Sequence, residues 1–221
     1  GEFSDLSPRF GEFAQVIREN KLTKRTAGRE VIWFGAVDYE YTGARHQAQD
    51  MPNEFSDLAR RLETQLNYPE GYFNSVLTNL YPKGRGIGAH ADDEAVFLRR
   101  NKTIGAVATI NLGGTSEVTI TNKQTGKKVT RTVSDGDLYV MPDGTFQAEN
   151  LHAVGPANAP RISMTFRHVP SSVLEQQGVQ PAQPTTEELT ALLEDLVVEQ
   201  GLASPASYAG IIPRPGEDTV P

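Results

Sequence analysis

The feature that most constrains the fold is a series of short apolar or alternating segments after residue 73, separated by turn residues about every eight to twelve positions. Ser75–Tyr81 alternates, residues 104–112 are almost continuously apolar, and residues 122–126 have the composition of a hairpin loop. Further strand-like runs cover residues 117–121, 128–133, 137–141 and 161–167. Strands at this spacing, without helices between them, predict an antiparallel sandwich or barrel and not a parallel sheet with crossover helices.

Two helical patterns precede these strands. Apolar side chains recur at helical spacing, first at Phe10, Phe13, Val16 and Ile17 and then, in a helix that begins near Asn53, at Phe55, Leu58, Leu62 and Leu66. Residues 30–42 between them are rich in β-branched and aromatic side chains, which indicates one or two strands. The chain is therefore predicted to be mainly β, with helices near its N-terminus.

The chain of 221 residues contains no cysteine, which excludes disulfides, thiolate metal ligands and thiol nucleophiles. A metal ion would need histidine and carboxylate ligands, and the four histidines are His46, His90, His152 and His168. There is no apolar run of about 18 residues and no signal-peptide pattern at the N-terminus. We therefore expect a cytoplasmic protein with no membrane partner.

Residues 171–221 differ from the rest of the chain in composition. They hold eight acidic residues, one basic residue and six prolines, so that of 28 acidic and 21 basic residues 20 of each are left for the body of the chain. This composition predicts an acidic tail or linker. Within it, Thr185 and Glu188 can form a capping box before a short amphipathic helix over residues 186–199, which either docks on the body or binds a partner.

The body of the chain can bind a phosphate backbone despite its balanced charge, because basic side chains cluster locally. The clusters consist of Lys83, Arg85, Arg99, Arg100 and Lys102, and of Lys123, Lys127, Lys128 and Arg131. They either contact phosphates or form an ordinary solvated surface. We divide the body into an N-terminal helical extension (residues 1–27, with a candidate cloning remnant at 1–5) and a main domain (residues 28–170).

A first candidate site is the pair His90 and Asp92. On an extended segment, side chains two positions apart point to the same face and can bind one ion together. The pair alone is a weak signal, because a polar loop at the end of a strand has the same pattern. His152, 62 residues further on and beyond another predicted strand, supplies a third ligand. Two imidazoles and one carboxylate leave three coordination positions open and suit non-haem Fe(II).

A second candidate site is the strand of residues 161–167. Arg161 and Arg167 are six positions apart, so both guanidinium groups point to one face of the strand. Two buried arginines are costly unless an anion neutralises them, and a dicarboxylate offers one carboxylate to each planar group. The alternative is a pair of surface arginines on an edge strand.

These motifs, His90-x-Asp92, His152 and Arg161-x5-Arg167, resemble in their order those of the AlkB family of Fe(II)/2-oxoglutarate dioxygenases. The surrounding segments are also similar, with the family's core block at residues 73–84 and 87–94 and its nucleotide-recognition lid at residues 33–35 and 39–43. The segments 111–114 and 136–141 are similar to AlkB domains in the replication polyproteins of plant positive-strand RNA viruses. The resemblance covers about residues 28–168 and implies a double-stranded β-helix, or jelly roll, with such a lid.

The resemblance also implies roles for individual residues. The iron ligands, which are the catalytic residues, would be His90, Asp92 and His152. The 2-oxoglutarate site would consist of Asn79, Tyr81, Arg161, Thr165 and Arg167, with Arg161 on the distal carboxylate and Arg167 near the end that chelates iron. Asp93 would contact a flipped base, and Tyr39 would stack on it or cover it from the lid.

The implied activity is oxidative demethylation of N-alkylated bases of the m1A and m3C type, in methylated RNA or single-stranded DNA, as part of viral RNA repair. It uses Fe(II), O2 and 2-oxoglutarate and releases succinate, CO2 and formaldehyde. Other domains of a viral replicase would be partners through the tail, in the host cell cytoplasm. Two alternatives stay open, a hydroxylase of a protein or small molecule with the same cofactors, and a metal-free jelly-roll interaction module.

Overall fold

The computed structural model describes residues 1–41 and 43–179. Its helices are α1 (Phe10–Glu19), α2 (Asn53–Leu66), α3 (Phe146–Glu149) and α4 (Ser171–Gln176), with 3-10 helices at Ser4–Arg9 and Ala95–Phe97. Its strands are β1 (Lys24–Thr26), β2 (Arg29–Phe34), β3 (Tyr39–Tyr41), β4 (Ala44–His46), β5 (Ser75–Tyr81), β6 (Ile87–His90), β7 (Val107–Gly113), β8 (Ser116–Asn122), β9 (Lys128–Val133), β10 (Leu138–Met141), β11 (Asn150–Val154) and β12 (Arg161–Arg167). The helix predicted over residues 186–199 lies outside the described residues.

Antiparallel pairing joins these strands into three sheets. The largest has six strands in the order β1-β2-β5-β12-β7-β10, and the second has four in the order β6-β11-β8-β9. A separate two-stranded sheet of β3 and β4 occupies the segment expected to form the lid. The prediction of a mainly β jelly roll with N-terminal helices is confirmed.

The six-stranded sheet has an apolar outer face, which is covered by α1 and α2. Ile162, Met164 and Phe166 of β12 are fully buried there, in one core with Phe13 of α1 and Phe55 of α2. Burying one such side chain contributes about 1.5–3 kcal/mol. The alternate side chains of β12 therefore point to the opposite, inner face, as the sequence predicted.

The segments before and after the predicted main domain (residues 28–170) both pack against it. Phe3 is fully buried in the core beneath α1 and α2, and β1 pairs with β2 at the edge of the large sheet. At the other end, Leu174 of α4 is buried in a second core cluster with Phe97 and Val169. The boundaries at residues 27 and 170 stay predictions, and contacts cross both of them.

No helix in the part of the chain that the structure describes is long and apolar enough to cross a membrane.

Candidate metal and cosubstrate site

The two candidate histidines lie side by side in the four-stranded sheet. His90 ends β6 and is the direct antiparallel partner of His152 in β11. Directly paired residues point to the same face of a sheet, and the two imidazole centroids are 4.1 Å apart. Gly86 permits this pairing, because a Cβ there would collide with the carbonyl oxygen of Val154 in β11.

Asp92 completes a cluster that can hold a metal ion. Its Oδ1 lies 3.6 Å from His90 Nε2 and 3.9 Å from His152 Nε2, and the three ligand atoms all lie within 4.8 Å of one another. Among the described residues, Asp92 Oδ1 is buried without a hydrogen-bond partner. An unsatisfied buried carboxylate oxygen is costly, and a cation bound between the three ligands would remove that cost. The residues present therefore fit a metal ion.

Neighbouring groups orient these ligands. His90 Nδ1 lies 2.8 Å from the carbonyl oxygen of Gly88, which can only accept, so the proton resides on Nδ1 and the Nε2 lone pair is free for a metal. Arg167 donates to Asp92 Oδ2 from Nη2 at 2.8 Å and from Nε at 3.2 Å. The backbone N–H of Asp92 donates to Gln147 Oε1 at 3.0 Å. Arg167 thus occupies one carboxylate oxygen and leaves the other facing the histidines.

Protonation states in the cluster suit metal binding. Burial raises the pKa of Asp92, but the Arg167 guanidinium and the two imidazoles outweigh this effect and keep its pKa below the usual value, so it is ionised. Burial lowers the pKa of His152 to about 4, against an opposing effect of Asp92. His152 is therefore neutral near pH 7, which is the form that binds metals.

A partly open cavity adjoins the cluster. All five residues predicted to bind 2-oxoglutarate line it, together with the three candidate metal ligands: Asn79, Tyr81, Arg161, Thr165, Arg167, His90, Asp92 and His152. Folding thus brings together residues from β5, β6, β11 and β12. Their roles toward a cosubstrate stay predictions.

Arg161 has the surroundings of an anion-binding residue. It is 1% exposed, its Nε donates to Asn111 Oδ1 at 2.6 Å, and its guanidinium lies 4.6 Å from the ring centroid of Tyr81. Among the described residues its Nη1 is buried without a hydrogen-bond partner. A carboxylate in the cavity would satisfy this donor and neutralise the charge. Arg167, by contrast, is already paired with Asp92 at the metal end of the cavity.

The expectation for Tyr39 needs correction. Tyr39 is fully buried, with its ring 4.7 Å from that of Trp33 and 5.3 Å from that of Phe97. Its hydroxyl donates to Glu94 Oε1 at 2.9 Å. A ring with no exposed surface, packed against core aromatics, is not available to stack on a base, so Tyr39 holds Glu94 instead.

The acidic residue next to the metal cluster is Glu94, which the sequence reasoning missed. Asp93, the predicted base contact, is exposed. Glu94 Oε2 is buried without a hydrogen-bond partner among the described residues, and burial followed by the nearby Asp92 raises the pKa of Glu94. The spacing His90, Asp92, Glu94 could have revealed it, because alternate residues of an extended segment share a face.

Comparison with known proteins agrees with this geometry. The model of the 2OG-Fe(II) oxygenase superfamily matches residues 11–167. The chain is 32% identical over 142 residues to Replicase protein 1a of Grapevine leafroll-associated virus 3, which covers 63% of this chain and 6% of that protein. It is 30% identical over 162 residues to the RNA replication protein of Grapevine virus A, covering 72% of this chain and 9% of that protein.

A third relative is the RNA replication protein of Papaya mosaic potexvirus, which is 31% identical over 161 residues, covering 72% of this chain and 10% of that protein. The chain thus spans at most a tenth of the length of these three relatives. Among solved structures, that of OsALKBH1 aligns with a TM-score of 0.55 and 17% identity, over 75% of this chain and 90% of the other, which supports the jelly-roll fold.

The predicted resemblance to viral AlkB-like domains is confirmed by these relatives. Family membership also establishes the cofactors as Fe(II), 2-oxoglutarate and O2, for which the cluster of His90, Asp92 and His152 provides a fitting metal site. With a family match over most of its length and that cluster at the centre of its jelly roll, the chain belongs to the 2OG-Fe(II) oxygenase superfamily.

Proposed function

We propose that this domain oxidatively demethylates N-alkylated bases of the m1A and m3C type, preferably in RNA. The observation that carries the proposal is Glu94, two positions beyond the metal ligand Asp92, whose Oε2 is buried without a hydrogen-bond partner among the described residues. Tyr39 holds the other oxygen of this carboxylate in place. Such a carboxylate is suited to a cationic ligand with N–H donors.

Methylation of N1 of adenine or N3 of cytosine gives the base a positive charge and leaves an exocyclic amino group. A base that has left its stack is recognised through hydrogen bonds to its pairing edge, and methylation on that edge lowers the cost of leaving the duplex. The charge of Glu94 would attract this cation more strongly in a partly buried site than in water. A neutral protein side chain gains little from such a carboxylate.

Nucleic acid as the partner is supported by the relatives and by the surface. The relatives are RNA replication proteins, and the solved neighbour carries the name ALKBH1. The loop and edge strand β9 carry Lys123, Lys127, Lys128 and Arg131 with no acidic residue between them. We propose that this hairpin contacts phosphates, that the domain acts in the host cytoplasm, and that other replicase domains are partners through the tail.

In this proposal His90, Asp92 and His152 hold the iron, while Arg161, Tyr81, Asn79, Thr165 and Arg167 bind 2-oxoglutarate. When bound, iron and cosubstrate would supply the oxidation, in which one oxygen atom of O2 enters succinate as 2-oxoglutarate loses CO2, and the other leaves with the methyl group as formaldehyde. The chain contributes orientation and charge. Arg161 would anchor the distal carboxylate, and Arg167 would keep Asp92 ionised and directed at the metal.

The test is turnover of matched RNA and DNA oligonucleotides that carry one m1A or m3C, with iron and 2-oxoglutarate supplied or withheld. We expect formaldehyde and succinate in equal amounts, only with both supplied, and faster with RNA. Succinate without formaldehyde on any methylated oligonucleotide would contradict the proposal and favour a protein or small-molecule hydroxylase. No succinate from iron-loaded protein under any condition would favour a non-catalytic module.

Two neighbouring variants isolate the role of Glu94. E94Q removes the charge that the base would meet, and we expect kcat/KM for the methylated oligonucleotide to fall about tenfold to a hundredfold, as for loss of a hydrogen bond to a charged group. D93N makes the same chemical change at the exposed neighbour and should have little effect. A large fall in kcat/KM for D93N with little effect of E94Q would instead favour Asp93 as the base contact.

A further inference from the structure

Arg29 of β2, a residue outside the predicted site, contacts two residues that line the cosubstrate cavity. Its side chain is 5% exposed, and its Nε donates to Asn79 Oδ1 at 2.9 Å. Asn79 lines the cavity and is itself 4% exposed. The guanidinium also lies 5.7 Å from the ring centroid of Tyr81, another cavity residue.

This contact determines which way the amide of Asn79 points. An amide offers an acceptor at one end and two donors at the other, and the two ends differ little in shape. Arg29 can only donate, so it selects the orientation with Oδ1 toward β2 and the Nδ2 donors on the other side. An anionic cosubstrate needs donors, and a reversed amide would present it with an oxygen and repel it.

We propose that Arg29 is a positioning residue for 2-oxoglutarate, which acts by fixing the amide of Asn79 with its N–H donors toward the cavity. The inference rests on the assignment of Asn79 to the cosubstrate site in the proposed function. It does not depend on which substrate is oxidised.

The chain offers a matched pair of variants. Glutamine places its Nε2 the same number of bonds from Cα as the Nε of arginine, so R29Q keeps the donor and removes the charge. R29M places a methyl group at that position and removes both the donor and the charge. We expect R29M to raise the Kd for 2-oxoglutarate about tenfold, the effect of losing one properly oriented hydrogen bond to a charged group, and R29Q to stay within about twofold of the wild type.

The measurement is anaerobic calorimetric titration of the Fe(II)-loaded 221-residue chain with 2-oxoglutarate, alongside its Kd for Fe(II), which should not change. R25M is the control, because Arg25 lies on the adjacent strand β1 with its side chain 84% exposed. Equal weakening in R29Q and R29M would overturn the inference in favour of a direct charge effect. Equal weakening in R25M would assign the effect to net charge.

The double variant R29M/N79A tests the route of the effect. If Arg29 acts through Asn79, the double variant binds 2-oxoglutarate as weakly as N79A alone, whereas additive losses contradict the inference. An unchanged Kd in N79A would refute the assignment of Asn79 itself, separately from the role of Arg29. If R29M does not fold, the comparison of R29Q with N79A tests the inference instead. A loss of 2-oxoglutarate affinity in R29Q as large as that in N79A would also overturn it.

Discussion

The two oxygens of Asp92 have different partners, and this difference sets what each metal-site mutation should do. Oδ2 is bound by Arg167, and Oδ1 faces His90 and His152. Asp92 is therefore both a candidate metal ligand and the counterion of a buried arginine. His90 is partly exposed and, in the part of the chain that the structure describes, is not the counterion of a buried arginine.

We predict that H90A and D92A both lose iron, but that only D92A is strongly destabilised. Removing one partner of a buried ion pair leaves the other charge uncompensated and costs about 3–5 kcal/mol. Iron content after dialysis and urea unfolding of the metal-free proteins measure the two effects. Equal unfolding free energies for the two variants would show that Arg167 does not depend on Asp92.

His168 makes a separate, pH-dependent contribution to stability. Its ring stacks on Tyr72 at a centroid distance of 4.7 Å, and its Nδ1 lies 2.8 Å from the Tyr72 carbonyl oxygen. Burial, followed by the nearby Arg99, lowers its pKa from 6.5 to about 4, although the Tyr72 hydrogen bond and Asp143 oppose this. The folded protein therefore keeps this histidine neutral where the unfolded chain protonates it.

A lowered histidine pKa means that stability is fully present above pH 6.5 and is lost as the pH falls toward 4. Between pH 7 and 5 the loss from His168 should be roughly 1–2 kcal/mol. We predict that the free energy of unfolding of H168N, whose side chain does not titrate, falls between pH 7 and 5 by roughly 1–2 kcal/mol less than that of the wild type. Urea unfolding at pH 7, 6 and 5 measures this difference. The same loss in H168N as in the wild type would assign the pH dependence to other groups.

At the scale of single elements, the sequence predicted what depends on local periodicity. The helices α1 and α2 and both faces of β12 follow from spacings of 3.6 and 2 residues, and each agrees with the burial seen in the structure. The hairpin loop at residues 122–126 likewise joins β8 to β9. Such patterns are set by neighbours in sequence and need no knowledge of the tertiary fold.

The pairing of β6 with β11 could not be predicted in this way. The two strands are separated by 62 residues between His90 and His152, and their register depends on how both sheets pack. The ligand residues could be identified from the sequence, and the family resemblance indicated that they lie close together in the fold. The contacts of Arg29 and Asn111 with cavity residues were missed for the same reason, since each joins side chains 50 positions apart.

The burial of Tyr39 shows that the resemblance of a whole segment to a family does not determine the role of each residue in it. The segment that looked like a lid does form the small sheet of β3 and β4. Its Tyr39 side chain points inward, where the ring packs against those of Trp33 and Phe97. A single position of offset exchanges the inward and outward residues of a strand.

At the scale of the whole molecule, the six-stranded sheet separates two environments. Its outer face is apolar under α1 and α2, and its inner face carries Arg161, Thr165 and Arg167 in the cavity. The apolar layer can stabilise a fold that buries costly polar groups on its other side. The segment after residue 170 takes part in this arrangement, because α4 packs on the core next to the site.

A chain of contacts links α4 to the metal cluster. Leu174 is 8% exposed and packs in the same cluster as Phe97, and the guanidinium of Arg167 lies 5.4 Å from the ring centroid of Phe97. Arg167 in turn holds Asp92. Removing α4 would take Leu174 out of the cluster that contains Phe97 and so weaken the packing beside Arg167.

We predict that deleting residues 171–221 lowers Tm by about 4–8 °C, because the burial of Leu174 contributes about 2 kcal/mol and each kcal/mol shifts the Tm of a domain of about 150–250 residues by about 2–4 °C. It should also weaken iron binding, because Asp92 would be held less firmly. Deleting only residues 180–221 retains α4 and should leave Tm and iron affinity close to those of the full chain. Thermal unfolding and iron titration of the two truncated proteins make the comparison, and equal effects of both deletions would show that α4 gives the site no support.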